Sequence, residues 1–367
     1  MRLSLTLSFY IIRQFISAFL AVMMVIMGVI FLFDVIELIR RSASHGDAGF
    51  WALISMALLK LPQMVHIILP FGVMIGSMVA LWRLSRSHEL VVARAAGISA
   101  WQFLTPLLLF VALTGVAEIT AFNPLAAIMY ARFEKMQDEI LLNRGSALDV
   151  SEQGLWLREG DEQRQVVVHA DAVRQDGLIL NLYQVHLFFY GRNEAFASRL
   201  HAARGKLVGS NFELDDVWQM KGGASSAHVD HLVIPTQLTI ERVHDNFASP
   251  ETMSFWQLPA FIDFFERAGF AANKHRMYLQ SLLASPLLYC GMTLLAAVFS
   301  LTLSNRAGGV MSRIGGGVLA GFVVYFFSKI SYAFGMSATL PSWLAAWSPG
   351  VIISLIGISG LLHQEDG

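Results

Sequence analysis

The sequence predicts a polytopic α-helical membrane protein: six transmembrane helices in a 3+3 arrangement, with an all-β water-side domain inserted between the halves. Three observations predict it. Of 367 residues, 55% are hydrophobic and 14% are charged, and mean hydropathy is +0.55; a soluble domain carries about 25% charged residues. Six apolar runs reach the ~20 residues a helix needs to cross the hydrocarbon core. Between the third and fourth runs, at roughly residues 145–250, Arg, Asp, Glu, Gln and His return and short alternating segments replace the long runs.

The first run, roughly residues 10–33, is too long for a signal-peptide core and has no small-residue cleavage site after it. It reads as an uncleaved first membrane helix. The second run, roughly 52–82, contains Pro62 and Pro70 and is expected to kink or split there. The third is expected to run from about Ile98 to Phe122 and to stop near Pro124. The last three cover about 277–303, 314–335 and 341–362. The chain thus divides into 1–135 (three spans with a cytoplasmic connection), 136–250 (the β domain) and 251–367 (a linker helix and three spans).

Within the middle part, Gln165–His169, Leu178–Leu187 and His231–Ile234 read as strands. Asp176-Gly177, Tyr190–Asn193, Gly209–Asn211 and Lys221–Gly223 read as turns. Several strands at short spacing argue for an antiparallel sandwich. Its inward face should carry residues such as Val167, Leu180, Leu182, Val185 and Leu187, as a packed core or as an apolar groove. From Ser249 to Gly269 a linker and an amphipathic helix return the chain to the bilayer.

Short loops rich in Lys and Arg face the cytoplasm. Arg83, Arg86 and Arg94 follow the second run, Arg306 and Arg313 the fourth, and Arg2 and Arg13 lie near the N-terminus. Both termini are therefore expected inside and the β domain outside. Against that rule, Arg40, Arg41, Arg132, Lys135, Lys274 and Arg276 fall at the outer boundary, and Lys60 lies within the second span. Each can be a snorkelling interface residue. Together they form a basic collar suited to an anionic headgroup, at about 1 kcal/mol per basic residue near a charged surface. Lys60 is the sharpest case, because a charge inside a span is a functional hypothesis by default.

Several segments resemble the LptF/LptG permease family of the lipopolysaccharide transport machinery. They are Leu61-Pro62, Leu69-Pro70-Phe71 and Ile75-Gly76 in the second span, then Leu84 through Ser99, and Gln153-Gly154-Leu155-Trp156 at the start of the β domain. The most specific mark is Glu89-Leu-Val-Val-x-Arg-Ala-x-Gly, and the resemblance covers essentially the whole chain.

The resemblance implies a permease subunit of an ABC-type transporter in a Gram-negative inner membrane, with the β domain a periplasmic β-jellyroll. It implies an LptF-like second permease, an LptB-like ATPase dimer that binds the ATP and Mg, and the partners LptC and LptA, whose jellyrolls continue an acyl-chain slide toward the outer membrane. Lipopolysaccharide is extracted from the outer leaflet, entering between the first span of one subunit and the fifth of the other. Segment 85–97 becomes a coupling helix docked on the ATPase, with Arg86, Glu89, Leu90, Val91 and Arg94 in contact. From the residues alone, the same segment is equally a solvated connector.

Gly315, Gly316, Gly317 and Gly321 punctuate the fifth span and include a Gly-x-x-x-Gly, as does Gly72 with Gly76. Such spacing serves bundle packing or a sliding lateral gate. No Gly-x-x-x-x-Gly-Lys-Ser/Thr loop appears, so no nucleotide cofactor is expected on this chain. Cys290, the only cysteine, excludes an internal disulfide and a Cys-based zinc site. His228-Val-Asp230-His231 reads as a polar strand face, and no metal is expected. No Ser/His/Asp arrangement and no paired intramembrane acid, His or Ser stands out, which argues against a lipid-modifying enzyme. A membrane-anchored periplasmic binding or sensory protein is the remaining rival, and six spans exceed what an anchor needs.

Overall fold

The structure is a computed structural model that describes residues 5–45, 49–87, 89, 92, 95, 97, 99–140, 148–151, 154–160, 165–176, 179–190, 196–221, 226–236, 249–267, 270–301 and 309–366. The chain divides into two compact units. The first contains residues 1–133, 250–258 and 273–367; the second contains 134–249 and 259–272.

Six helices among the described residues are long and apolar enough to cross a membrane. They are α1 (Leu5–His45), α2 (Phe50–Arg86), α3 (Ala100–Ile140), α5 (Asn273–Ser300), α6 (Gly309–Met336) and α7 (Ser342–Asp366), with a short α4 (Leu258–Arg267) between α3 and α5. The most enclosed span is α5: 61% of its most apolar stretch is buried, against 17% for α1 and 22% for α6. One core joins Ile11 and Phe15 of α1, Leu69 and Leu81 of α2, Leu104 and Leu107 of α3, and Tyr289 of α5. A second joins Met74 and Met78 of α2 to Met292 of α5, Val324 of α6 and Ile353 of α7.

One expectation about helix breaks changes. Of the kink or split expected at Pro62 and Pro70, α2 shows no split, running as one helix through both. α3 starts at a capping box, in which Gln102 N donates to Ser99 Oγ at 3.3 Å and Ser99 N to Gln102 Oε1 at 3.4 Å. It then continues past Pro124 to Ile140 instead of stopping. The physical reason is local. Proline brings no N–H to the carbonyl one turn before it, which here belongs to Thr120. The turn Glu118–Phe122 widens into a π-helix, and Trp256 Nε1 donates to Thr120 O at 3.2 Å. Asn123 accepts from Phe255 N at 2.8 Å and donates to Tyr278 Oη at 3.2 Å. The segment before α4 thus supplies the hydrogen bonds the proline leaves unmade.

In the second unit the strands are β1 (Leu148–Ser151), β2 (Gly154–Gly160), β3 (Gln165–Asp176), β4 (Ile179–Tyr190), β5 (Phe196–Val208), β6 (Asn211–Lys221) and β7 (Ala227–Pro235). They form one antiparallel sheet in sequential order. The expected segments 165–169, 178–187 and 231–234 fall in β3, β4 and β7. Gly209, with φ +59°, makes the turn from β5 to β6. The turn residues Gly177, Gly191–Asn193 and Gly222-Gly223 lie outside the described residues.

From β2 to β6 one face is buried by Leu155, Val168, Ala170, Leu180, Leu182, Val185, Leu187, Leu200, Leu207, Phe212, Leu214 and Val217. Val168, not Val167, takes the inward position on β3; Val167 pairs with Phe188 on the other side of the pleat. The inward alternation slips by one residue in each long strand: Leu182 to Val185, Ala202 to Gly205, Leu214 to Val217. Gln184 (φ 51°) and Asp216 (φ 56°) sit in these gaps in the left-handed region. An extra residue per strand keeps the apolar face on one side while the strand bends, so a row of such residues folds a single sheet over its own core. The inward residues Leu180, Leu182, Val185 and Leu187 are at most 1% exposed, so in this unit they are packed core.

By contact, the helix α4 divides. Leu258 packs in the first unit with Ile119, Tyr278 and Leu282, while residues from Pro259 group with the second unit. There Phe261 stacks on Phe265 at 5.3 Å and Phe265 on Phe270 at 4.9 Å. Expected as part of the returning membrane half, α4 therefore belongs largely with the sheet.

Candidate functional sites

The basic residues singled out in the sequence do not behave alike. Lys60 Nζ donates to Asp34 Oδ1 at 2.6 Å, joining α2 to α1, with the side chains 24% and 14% exposed. It also lies 5.7 Å from the centre of the Phe133 ring. Arg40 grips both oxygens of Glu37 at 2.9 Å, and Arg41 Nε donates to Glu37 Oε1 at 2.7 Å. Arg40, Arg41 and Lys60 are therefore already engaged by acids, one turn away or on the neighbouring helix. Arg132, Lys274 and Arg276 are exposed in the first unit, and Lys135 is exposed in the second.

The expectation that no acid, His or Ser pairs inside the spans is overturned. His66 Nδ1 of α2 lies 2.5 Å from Glu118 Oε1 at the π-turn of α3, and Ser285 Oγ of α5 donates to Glu118 Oε2 at 3.5 Å. Glu118 is 5% exposed. These residues are 52 and 167 positions apart in the chain, so only the packing of three helices reveals them. The order of the contacts decides what the set can do. A nucleophilic triad places the histidine between hydroxyl and acid; here the carboxylate lies between histidine and hydroxyl, so the histidine does not activate the serine. The group instead ties three spans together at a polar point. Beside it lies a cavity of about 220 Å³, lined by Gln63, His66, Tyr278 and Ser285 on one side and by Tyr325 and Lys329 of α6 on the other. Lys329 lies 5.4 Å from the Tyr325 ring centre. Asp34, Glu37, His66, Glu118 and Lys329 were missed in the sequence. The signal that finds them is the same one that picked out Lys60, a polar group inside an apolar run.

Of the connection after α2, Glu89, Val92 and Ala95 are helical and exposed, while Leu90, Val91 and Arg94 lie outside the described residues. Arg86 packs 5.3 Å from the Trp82 ring centre. Glu89 Oε1 accepts from Tyr10 Oη at 3.2 Å, which links this segment to α1.

The glycines also separate. A Cβ on Gly317 would meet Met78 Sδ at 2.9 Å, and one on Gly321 would meet Met74 Sδ at 2.8 Å. This pair therefore serves close packing of α6 on α2. At Gly316 the nearest atom would be Phe299 Cε1 at 3.4 Å, and Gly315 faces open space. A Cβ on Gly76 would lie 2.9 Å from Phe19 Cα, so Gly76 lets α1 and α2 approach backbone to backbone.

On the outer face of the sheet, Trp156, His169, His186, His201, Trp218 and His228 are successive cross-strand partners from β2 to β7. Burial first, then the neighbouring His201 and Arg199, lower the His186 pKa below the ordinary imidazole value. His228 Nε2 lies 2.7 Å from Asp216 Oδ1 and His231 Nδ1 2.9 Å from Asp215 Oδ1, an outward polar face as expected.

These features define a multi-pass helical membrane protein with an antiparallel β domain between its third and fourth spans. Comparison with known proteins is specific about its kind. The chain belongs to the family described as "Lipopolysaccharide export system permease LptF/LptG", which matches residues 9–363. It is 23% identical over 371 aligned positions to lipopolysaccharide export system permease protein LptG of Escherichia coli K12, spanning 95% of this chain and 96% of that protein. The LptG of Escherichia coli O6:H1 matches to the same extent.

Proposed function

We propose that this chain is the LptG-type permease subunit of an ABC-type exporter that draws lipopolysaccharide from the outer leaflet of the inner membrane. The observation that carries the reading is the end-to-end similarity to LptG proteins, spans and inserted domain together. On this reading the chain carries no chemistry of its own. An LptB-like ATPase dimer binds ATP and Mg and engages segment 85–97 from the cytoplasm. An LptF-like subunit completes the pore, and LptC and LptA continue the β path in the periplasm. The Lys and Arg bias of the short connections supports cytoplasmic termini and a periplasmic sheet.

The physical task sets the division of labour. Moving an acyl chain into water costs about 0.8 kcal/mol per CH₂, so extraction needs both an energy source and a shielded route. Arg132, Lys274 and Arg276, exposed near the ends of their helices, suit phosphate on the headgroup. Arg40, Arg41 and Lys60 reach an anionic ligand only by exchanging their present carboxylate partners.

Glu89 is the best-placed acid for the ATPase contact, being exposed on the helical segment. The test is to purify the tagged chain from its host in mild detergent and to assay ATP hydrolysis. The wild type is expected to bring down an LptF-type permease and an ATPase, and Glu89→Lys to lose the ATPase or its activity. Recovery of the chain alone, where other transporters stay intact, would reject the reading.

A further inference from the structure

We propose that the outer face of the β domain holds a zinc-class divalent ion, ligated by His169, Asp171 and His186 with His201 beside them. None of these residues has a role in the permease reading, and the proposal does not depend on it. The ligand atoms of His169, Asp171 and His186 all lie within 4.8 Å of one another. Two come from successive outward positions on β3, and the third from the directly opposite position on β4. His169 Nδ1 and Asp171 Oδ1 are 3.6 Å apart. Two ligands of a tetrahedral zinc at about 2.0–2.1 Å stand roughly 3.3 Å apart, so this pair is close to the required spacing before any metal draws it in.

The hydrogen bonding shows which way the imidazole points. Arg199 Nη2 lies 2.9 Å from His186 Nδ1. A guanidinium only donates, so His186 presents a lone pair at Nδ1 to a cation. His201 Nδ1 lies 3.2 Å from the same atom, and its ring is 4.5 Å away. His186 Nδ1 therefore holds its lone pair toward the Arg199 donor, which a metal ion would displace, with the His201 ring nitrogen close by. Imidazole and carboxylate together suit zinc, and cobalt is its spectroscopic stand-in. The two β3 ligands and the β4 ligand would clamp adjacent strands beside Gln184, where the sheet bends.

Arg199 is also the site's competitor. It donates to His186 and lies 5.4 Å from the Phe188 ring centre. Removing its charge takes away both a hydrogen bond to the ligand and a repulsive charge next to the ion.

The experiment uses the untagged full-length chain in detergent, stripped with chelator. Zn²⁺ is titrated by calorimetry and Co²⁺ by visible absorption. One equivalent is expected to bind. His186→Gln and Asp171→Asn should each weaken binding by at least about tenfold, Arg199→Gln should strengthen it, and His231→Gln should leave it unchanged. Asp171 is 58% exposed, so its substitution tests ligation without threatening the fold. The proposal is overturned if no stoichiometric ion binds. It is equally overturned if the His186 and Asp171 variants bind as the wild type does, or if His231→Gln loses as much, which would mark uptake by scattered surface histidines.

Discussion

Lys60 and Asp34 meet from two different helices inside apolar spans, at 2.6 Å. Either charge alone would be an ion in a poor solvent, so each is tolerable because of the other. Cutting one member should therefore cost more than cutting both. Lys60→Met or Asp34→Asn alone is expected to destabilise by about 3 kcal/mol, the lower end for a buried pair since both side chains keep some exposure. The double variant should recover a large part of that loss, read as the thermal unfolding midpoint in detergent. Additive single effects would show that the pair is not coupled. The sequence could flag Lys60 through the scarcity of charge in spans, and that same scarcity flags Asp34 and Glu118. It could not pair them. Asp34 is 26 positions from Lys60, and Glu118 is 52 from His66, so the partnerships arise only once α1, α2 and α3 pack. Glu37 was missed as well, although its three- and four-residue spacing to Arg40 and Arg41 places all three on one helix face and needs no tertiary packing to find.

At the scale of elements, hydropathy located all six spans, because twenty apolar residues have few alternatives to crossing a bilayer. It misjudged the end of α3, where Pro124 read as a stop. The remedy lies 132 residues away, in Trp256 and Phe255, and has no local signature. The β domain was read from the regular alternation of parts of β3, β4 and β7. β5 and β6 escaped because charged and small residues, Arg199, Ala202, Ala203, Arg204 and Gly205 on one and Asp215 and Asp216 on the other, dilute the apolar pattern that β4 keeps despite the same extra residue at its bend. The glycines of α6 were visible, but their two uses were not separable by spacing. Packing now separates them, and a prediction follows from it. Gly321→Val drives a side chain into Met74 and should cost about 1–3 kcal/mol of stability. Gly315→Val meets open space and should stay within about 0.5 kcal/mol of the wild type. Thermal midpoints of the two purified variants check this. Equal losses would mean that Gly315 is packed as closely as Gly321.

For the whole molecule, the uneven burial of the spans is the feature that bears on transport. α5 is enclosed by its neighbours, while α1 and α6 keep rows of large apolar side chains outward: Met24, Leu32 and Phe33 on one, Leu319, Val323 and Phe326 on the other. Lipid alone can cover such rows, and so can a second permease and a bound glycolipid. On the proposed reading these two helices border the entry sites, since α1 is the first span and α6 the fifth. α7 offers the comparison, with Leu355 exposed at 61%, the same as Phe326. A photoreactive residue placed at Phe33 or Phe326 in living cells is expected to capture lipopolysaccharide and the second permease. One at Leu355 should capture neither beyond background. Equal exposure to the bilayer makes bulk lipid contact the same at Leu355 and Phe326, so a difference between them has to come from what is specifically held there. Equal capture at both, or no glycolipid adduct at Phe33 and Phe326, would remove α1 and α6 from the substrate path and leave their bare faces to lipid.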